Sequence, residues 1–424
     1  MKKFIIHSIG IIVIALVVAS CTNTQKINQT TNSKLYKKNN NELQAKYIVY
    51  HINDTVSDLH YSINNDILVY KKSDTSDYFY SHLKLIIRVK NENALEKSEH
   101  TSTFDIYDRQ TDVKSKELNG FVSINLKQGL NYLIDIEAVD ENKKTQYDAA
   151  IYSNKESVNT RQNFLITDNQ NQIKYSDFYK ADERLLLKSI RNTTTMFQVD
   201  YFKPQFKLAI PPFSLEPRTR FSYIPDSTYS VSKINEVINL DLPENGFLHL
   251  KTNEQTKEGV SFFVYESAFP KIKNTEQMIL ATRYIMAKKE FDKCINASDK
   301  KAAIDDFWVD IAGSGERAKE LIKKYYNRVQ EANKLFSSYQ EGWKTDRGMI
   351  YTVFGAPNKV IKHKNGEQWV YGETNTPSSL TFSFIKIINP FTDNDYYLER
   401  NETYKMPWYQ AVDMWRQGRI YLDN

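Results

Sequence analysis

The chain has 424 residues, of which 57 are Lys or Arg and 52 are Asp or Glu, giving a formal net charge of +5. Both signs of charge are interspersed along the sequence, which argues against the basic stripe of a nucleic-acid-binding protein. Aromatic residues make up 13% of the chain, with 28 Tyr. Because Tyr suits half-buried pleated surfaces, this composition favours β-rich domains, and the length predicts about three domains.

The N-terminus predicts an export signal. Met1-Lys2-Lys3 supplies positive charge, residues 4–18 form an apolar run, and small residues follow. The run is too short to span a bilayer as a lasting helix, so residues 1–20 are predicted to be a secretory signal peptide. Val18-Ala19-Ser20-Cys21 resembles the lipobox of bacterial lipoproteins. This resemblance implies cleavage before Cys21, lipidation of its thiol and a lipid anchor at the mature N-terminus.

Residues 21–45 are polar and rich in Asn, Thr and Lys, and they are predicted to form a flexible tether. They contain no acidic residue before Glu42. Surface-exported lipoproteins of the Bacteroidota usually carry an acidic cluster after the acylated cysteine, so the resemblance favours an outer-membrane anchor facing the periplasm. The second cysteine, Cys294, lies at apolar spacing in a helical pattern and is predicted to be a small buried side chain.

Two all-β domains are expected after the tether. Over residues 46–155, strand-like segments such as HLKLIIRV (82–89) and YLIDIEAV (132–139) alternate apolar and polar residues. This spacing predicts an antiparallel, immunoglobulin-like sandwich. Over residues 160–270, turn clusters such as PPFSLEP (211–217) separate further strand-like runs and predict a second all-β domain of the same kind. The sequence therefore predicts a multidomain protein.

From residue 272 the apolar spacing becomes helical, and residues 272–424 are predicted to form an α+β domain. Helices are expected after the capping residue Asn274, over 302–313, from Ser314 to about 339, and over 406–421. Strands are expected at 348–355, 367–372, 380–387 and 396–400. The short connections predict an antiparallel sheet with the helices packed on it.

The sequence Gly342-Trp343-Lys344-Thr345-Asp346 carries a specific resemblance. It matches the pattern that names the GWxTD-domain family, and the continuation RGMIYTVFGAPNKV and the later EQWVY look like the same family. The resemblance covers about residues 265–424. It implies a domain of exported bacterial proteins, common in the Bacteroidota, and supplies no catalytic residues. The order of helices and strands is also similar to a small lipoprotein of the outer-membrane β-barrel insertion machinery, which implies a protein-binding role.

The signature is predicted to be a structural corner from helix to strand. Gly342 would end the long helix in the left-handed conformation, Trp343 would cover its apolar stripe, and Gly348 would allow positive φ before a strand. Thr345 and Asp346 would accept hydrogen bonds from turn amides. The full set of signature residues is Gly342, Trp343, Thr345, Asp346, Arg347, Gly348, Gly355, Pro357, Trp369 and Tyr371. The alternative is a polar site beside Trp343 formed by Asp346, Arg347 and Thr345.

The sequence contains no recognisable catalytic, metal-binding or phosphate-binding motif. The seven His residues do not form a metal-binding spacing, and neither a nucleophile elbow nor a phosphate-binding glycine pattern occurs. No cofactor or metal is therefore expected.

The leading hypothesis is a non-enzymatic lipoprotein that binds other envelope proteins through exposed aromatics and sheet edges, as a scaffold of envelope assembly or secretion. One alternative is a glycan-binding module, which requires two or three coplanar exposed aromatics. Another is an unrecognised hydrolase with Asp346, Arg347 and His363 in one deep pocket.

Overall fold

The computed structural model describes residues 30–32, 36, 43–73, 77–111, 116–204, 207–217, 221–363, 365–373 and 379–419. Within these ranges the chain forms 21 strands and six α-helices, organised as two β units followed by a unit of helices and one sheet. No helix in these ranges is both long and apolar enough to span a bilayer. The predicted signal peptide and Cys21 lie outside the described residues.

The first β unit contains two antiparallel sheets. Its strands are β2 (Ala45–His51), β3 (Val56–Asn64), β4 (Lys71–Lys72), β5 (Phe79–Asn91), β6 (Ser98–Arg109), β7 (Glu117–Asn125), β8 (Asn131–Asp140) and β9 (Thr145–Asn154). One sheet has the order β2-β3-β7, and the other has the order β4-β5-β8-β9 with β6 also paired to β5. Alternate residues of the strands are buried, as the period-two pattern predicted, and Leu59 and Ile87 bring the two sheets into one core.

Two buried polar side chains lie inside this unit. The Lys155 amine donates to the carbonyl oxygens of Val56 (3.1 Å) and Leu126 (2.7 Å) and to Ser57 Oγ (3.0 Å). His51 is fully buried, with Nδ1 2.8 Å from Ser57 Oγ. Burial lowers the pKa of Lys155 to about 8 and that of His51 to about 4, because both lose hydration of the charged form.

The second β unit forms an eight-stranded sheet. Its strands are β10 (Leu165–Asp168), β11 (Phe178–Lys180), β12 (Arg184–Lys188), β13 (Met196–Phe202), β14 (Ser227–Ile234), β15 (Val237–Asp241), β16 (Gly246–Lys251) and β17 (Val260–Tyr265). The order is β10-β12-β15-β14-β13-β16-β17-β11, and all pairs except β11 with β17 are antiparallel. β14 pairs with β13 along most of its length and with β15 at its end, so it joins the two halves of the sheet around one core.

The third unit packs six helices on an antiparallel sheet. The helices are α1 (Thr275–Thr282), α2 (Lys288–Ile295), α3 (Lys300–Ala312), α4 (Gly315–Phe336), α5 (Asp346–Phe354) and α6 (Lys405–Arg416). The strands are β18 (Lys359–His363), β19 (Gly366–Tyr371), β20 (Leu380–Lys386) and β21 (Tyr396–Leu398). Ser314 caps α4, Gly313 ends α3 at φ +75°, and Cys294 is buried, as the sequence predicted.

Two elements differ from the sequence prediction. The segment 348–355 is not a strand, because it belongs to the helix α5, all nine residues of which are buried. A segment buried on every side has no apolar periodicity, so helix and strand cannot be separated by pattern. The long helix α4 ends at Phe336, before Tyr339, because Ser337 is extended (φ −67°, ψ 145°, in the β region).

The N-terminal segment also differs from a free tether at the residues that the structure describes. β1 (Thr30–Asn32) pairs antiparallel with β18 and adds a fifth strand to the sheet of the third unit. Tyr36 is only 9% exposed and belongs to the core of that unit. The chain then enters the first β unit, where Leu43 is buried.

A cluster of aromatic rings joins the second β unit to the third. Phe202, Phe247 and Phe263 come from the sheet, and Tyr339 and Phe391 come from loops of the third unit. The rings of Phe202 and Phe391 are 5.0 Å apart and those of Phe247 and Phe391 are 5.1 Å apart, both edge to face. This geometry is favourable for aromatic pairs and continues the apolar core from one unit to the next.

Lowering the pH should destabilise the protein through His51. Its folded pKa of about 4 lies below the ordinary 6.5, so the unfolded chain binds more protons between those values. The stabilisation is complete above pH 6.5 and is lost as the pH falls toward 4, by about 2 kcal/mol between pH 7.5 and 5. Urea unfolding at both pH values measures this loss. His51→Gln should lose about 2 kcal/mol less than the unaltered protein over the same interval, and equal losses in the two proteins would refute the assignment.

Candidate functional site

The signature residues form a turn between α4 and α5. Asn333 lies inside α4, 1% exposed, and its Oδ1 accepts a hydrogen bond from the Trp343 amide at 3.2 Å. The Gly342 amide donates to Ser337 Oγ at 2.7 Å. Residues Gly342–Lys344 then make one 3-10 turn. Side chains at the end of α4 therefore satisfy the amides that open the signature.

Trp343 is fully buried in the core of the third unit, as the sequence predicted. Its carbonyl oxygen accepts a hydrogen bond from the Tyr284 hydroxyl at 2.9 Å, which ties the turn to the segment after α1. Thr345 is the N-cap of α5, since its Oγ1 accepts from the Gly348 amide at 3.0 Å. The same hydroxyl donates to the Gly342 carbonyl oxygen at 2.7 Å. Together these contacts set the angle between the 3-10 turn and α5.

Gly342 and Gly348 act through close packing, and the expectation of positive φ is wrong for both. A Cβ on Gly342 would lie 2.0 Å from the Ala332 carbonyl oxygen of α4. A Cβ on Gly348 would lie 1.8 Å from the Gly342 carbonyl oxygen. The backbones of α4, the 3-10 turn and α5 approach so closely that no side chain fits between them. The signature is consequently a corner between two helices.

Asp346 accepts hydrogen bonds from the chain around β21. The Leu398 amide donates to Oδ2 at 2.8 Å, and the Arg400 guanidinium bridges both oxygens, at 2.5 and 3.1 Å. Arg400 also donates to the Ile210 carbonyl oxygen of the second β unit at 3.1 Å. Both side chains of the ion pair are largely buried, with 11% and 13% exposed. The carboxylate of the signature thus connects α5, β21 and the second β unit.

Arg347 points to a different set of partners. It donates to Glu367 Oε1 at 3.2 Å and to the Asn394 carbonyl oxygen at 3.0 Å, and its guanidinium lies 3.9 Å above the Tyr396 ring. The side chains of Asp346, Arg347 and Thr345 therefore engage separate partners. They do not converge on one polar site beside Trp343.

Glu367 is the buried carboxylate at the centre of these contacts. It is 1% exposed and accepts hydrogen bonds from Trp369 Nε1 (3.0 Å), from Arg347 and from the Tyr36 hydroxyl (3.0 Å to Oε2). Burial and the adjacent carboxylate raise the pKa of Tyr36 well above its ordinary value, so its phenol stays protonated and donates.

The remaining signature residues close the exit from α5. Gly355 ends the helix at φ +82°, and its carbonyl oxygen accepts from the Tyr371 hydroxyl at 2.8 Å. Pro357 is buried in the turn that leads to β18. Trp369 and Tyr371 are buried on β19, so the later part of the signature packs the sheet against α5.

Residues 246–417, which include the whole signature, match the family model of the GWxTD domain. The chain carries a GWxTD domain. The match begins at Gly246, before the residue 265 expected from the sequence, so the GWxTD domain includes β16 and β17 of the second sheet. No curated protein matches the chain.

A cleft of about 640 Å³ lies between the second β unit and the GWxTD domain. Its walls include Tyr339, Tyr396 and the Asp346–Arg400 ion pair. Neither Arg347 nor His363 lines it. Through the described parts of the chain, no three His, Cys, Asp or Glu side chains are grouped to hold a metal ion.

A row of aromatic side chains lies on the outer surface of the first β unit, at one end of β5 and β6. Tyr107 is 63% exposed and stacks on His82, with ring centroids 4.4 Å apart and planes 18° apart. The Tyr80 ring lies 6.2 Å from the Tyr107 ring and is tilted against it, and the Tyr78 ring lies 6.5 Å from the Tyr80 ring, edge to face. The Arg109 guanidinium lies 4.7 Å above the Tyr78 ring. We call Tyr78, Tyr80, His82, Tyr107 and Arg109 the aromatic row.

Sequence reasoning missed Tyr36, Glu367 and Arg400. Glu367 and Arg400 bear charges of a kind that is common on surfaces, and nothing in their neighbourhood in sequence shows that they are paired inside. Tyr36 did leave a signal, since Leu35-Tyr36 is the one adjacent apolar pair within residues 22–42. An aromatic residue in an otherwise polar segment is a reason to expect docking.

Gly342→Ala tests the close packing of the corner. The added Cβ meets backbone atoms that cannot move without shifting α4, so we expect the free energy of unfolding to fall by about 3 kcal/mol. Chemical denaturation measures the change. Gly315→Ala is the matched control, because no atom lies within 4 Å of its Cβ, and it should leave stability unchanged or raise it by up to about 1 kcal/mol. Equal stability of the two variants would contradict the packing explanation.

Proposed function

We propose that this protein is a lipoprotein of the cell envelope that binds other envelope proteins, as a non-enzymatic scaffold of assembly or secretion. Its signal peptide directs export, and acylated Cys21 anchors it to the outer membrane on the periplasmic side. The two β units act as immunoglobulin-like sandwich domains that supply docking surface. The sequence supports the anchor, because a short apolar run leads directly to Cys21.

The aromatic row is the observation that carries the binding role. Tyr and Arg are enriched at protein interfaces, because they combine a large apolar area with polar groups at their tips. Here Tyr78 and Tyr107 are exposed by 37% and 63%, and Arg109 covers one end of the row. The surface therefore offers a partner the exposed parts of two tyrosine rings and a guanidinium group.

The strand that carries part of the row lies at a sheet edge. In the described ranges the twelve-residue strand β6 pairs with β5 at eleven positions and with no other strand. An edge strand of this length presents backbone amides and carbonyl groups to which a partner strand can be added. A protein partner that contributes an extended segment therefore fits this edge better than a compact, rigid surface.

A glycan is the second candidate for the same row, favoured by the stacked pair of Tyr107 and His82. Sugars stack on aromatic faces, but a platform for several sugars requires coplanar rings. The planes of Tyr78 and Tyr80 differ by 68°, and those of Tyr80 and Tyr107 differ by 46°. The tilted row suits side chains of a protein better than a flat chain of sugars. No arrangement of the Asp346 region favours the hydrolase alternative comparably.

Mild crosslinking and affinity purification of the acylated protein from its own membranes tests the proposal. We expect a reproducible set of envelope proteins, identified by mass spectrometry, that is depleted at least tenfold when Tyr78 and Tyr107 are both changed to Ala. Since both side chains are exposed, the double variant should unfold within about 1 kcal/mol of the unaltered protein. Tyr229→Ala is the matched control, because Tyr229 is an exposed tyrosine of the second β unit, 41% accessible.

Three results would count against this function. An identical partner set in the double variant and the control would remove the row as the binding surface. If the double variant lost binding to envelope polysaccharide but kept all protein partners, the result would favour the glycan-binding alternative. Retention of the protein in membranes after Cys21→Ser would contradict the proposed lipid anchor.

A further inference from the structure

The GWxTD domain receives an extended segment at one edge of its sheet. The backbone of Thr30–Asn32 pairs antiparallel with β18, in the register Thr30 with Lys362 and Asn32 with Val360. In the sheet order β1-β18-β19-β20-β21, β18 would be the edge strand if this segment left. Backbone pairing of this kind accepts many sequences, because the hydrogen bonds come from groups that almost every residue has.

Four residues after the paired segment, the side chain of Tyr36 occupies a pocket of the GWxTD domain. The Tyr36 ring lies 5.1 Å from the Phe336 ring and 5.2 Å from the Trp369 ring, and its exposed fraction is only 9%. Its carbonyl oxygen lies 3.1 Å from Tyr351 Oη. Lys362 Nζ lies 6.0 Å from the ring centroid. Residues from α4, α5, β18 and β19 thus surround one tyrosine.

The pocket also distinguishes the hydroxyl group of that tyrosine. The Tyr36 hydroxyl donates to Glu367 at 3.0 Å from Oε2 and 3.2 Å from Oε1. Glu367 is buried, and its other donors are Arg347 and Trp369. A phenylalanine in this place would fill the apolar walls but would leave the buried carboxylate without one of its three donors.

We infer that the β18 edge and the pocket around Glu367 form a docking site for an extended segment that carries a tyrosine. The resident ligands of this site are Thr30–Asn32 on the strand edge and Tyr36 in the pocket, both from the same chain. The strand pairing supplies affinity without regard to sequence, and Glu367 supplies the selection for tyrosine. The site lies in the GWxTD domain and is separate from the aromatic row of the first β unit.

The docked segment limits how far the GWxTD domain can lie from the membrane, a consequence that rests on the proposed acylation of Cys21. Thr30 lies nine Cα–Cα steps after Cys21, and even a fully extended chain of that length spans only about 30 Å. If the segment left its site, the chain from Cys21 to Leu43 would span up to about 75 Å. Release of one strand and one tyrosine would more than double the reach of the domain.

A labelled peptide of residues 28–38 tests the site, with the full-length protein purified in detergent. In the unaltered protein the resident segment competes at a high effective concentration, so the peptide should bind weakly. Tyr36→Ala in the protein should free the site and tighten binding of the native peptide at least tenfold, measured by fluorescence anisotropy. A peptide with Tyr36→Phe should bind that variant about tenfold more weakly than the native peptide, because it cannot donate to Glu367.

Hydrogen exchange gives a second readout that does not need the peptide. The amides of β18 should exchange at least tenfold faster in Tyr36→Ala than in the unaltered protein, while those of β20 stay unchanged and show that the domain is folded. Tyr229→Ala is the control and should match the unaltered protein in both measurements. The inference is overturned if Tyr36→Ala leaves β18 exchange unchanged, or if it binds the peptide no better than the unaltered protein does. Neither readout involves Cys21 or the aromatic row, so their failure is distinguishable from failure of the proposed function.

Discussion

The structure of the GWxTD domain depends on the burial of one carboxylate, that of Glu367. A buried charge is costly unless it is paired and hydrogen-bonded, so Glu367 requires donors from several directions. It obtains them from α5 through Arg347, from its own strand through Trp369 and from the N-terminal segment through Tyr36. Each donor fixes the position of its element relative to β19. The hydrogen bonds to this buried carboxylate, as well as apolar packing, therefore specify how the N-terminal segment, α5 and the sheet fit together.

The close approach of α4 and α5 makes that arrangement possible. Gly342 and Gly348 leave no room for a Cβ, so α5 begins against the backbone of the preceding turn. This position directs Arg347 toward Glu367 and Asp346 toward Arg400, on different sides of the same helix. In this signature the short distance between backbones matters at least as much as side-chain chemistry, which explains why small residues and a buried Trp occur together in it.

The sequence predicted those elements whose pattern is local. The start of α4 at Ser314, the end of α3 at Gly313, the strand β19 and the buried Trp343 all follow from caps, periodicity or size. The helix α5 was predicted as a strand because burial on all sides removes periodicity. Tyr36 and Glu367 are 331 residues apart, and no single-sequence pattern reports a contact of that separation. The Asp346 partner Arg400 was missed for the same reason.

The boundary of the GWxTD match runs through the second sheet, beside the aromatic cluster of Phe247 and Phe263. The family match begins at Gly246, so the matched segment starts with the hairpin of β16 and β17 and not with a complete sheet. Here β13 pairs with the outer edge of β16, and β11 pairs with β17. Without these neighbouring strands, the hairpin of β16 and β17 would leave two edges open to other chains. Residues 246–417 are thus smaller than the unit that folds, and β13 and β11 of the preceding β unit complete the sheet that the matched hairpin begins.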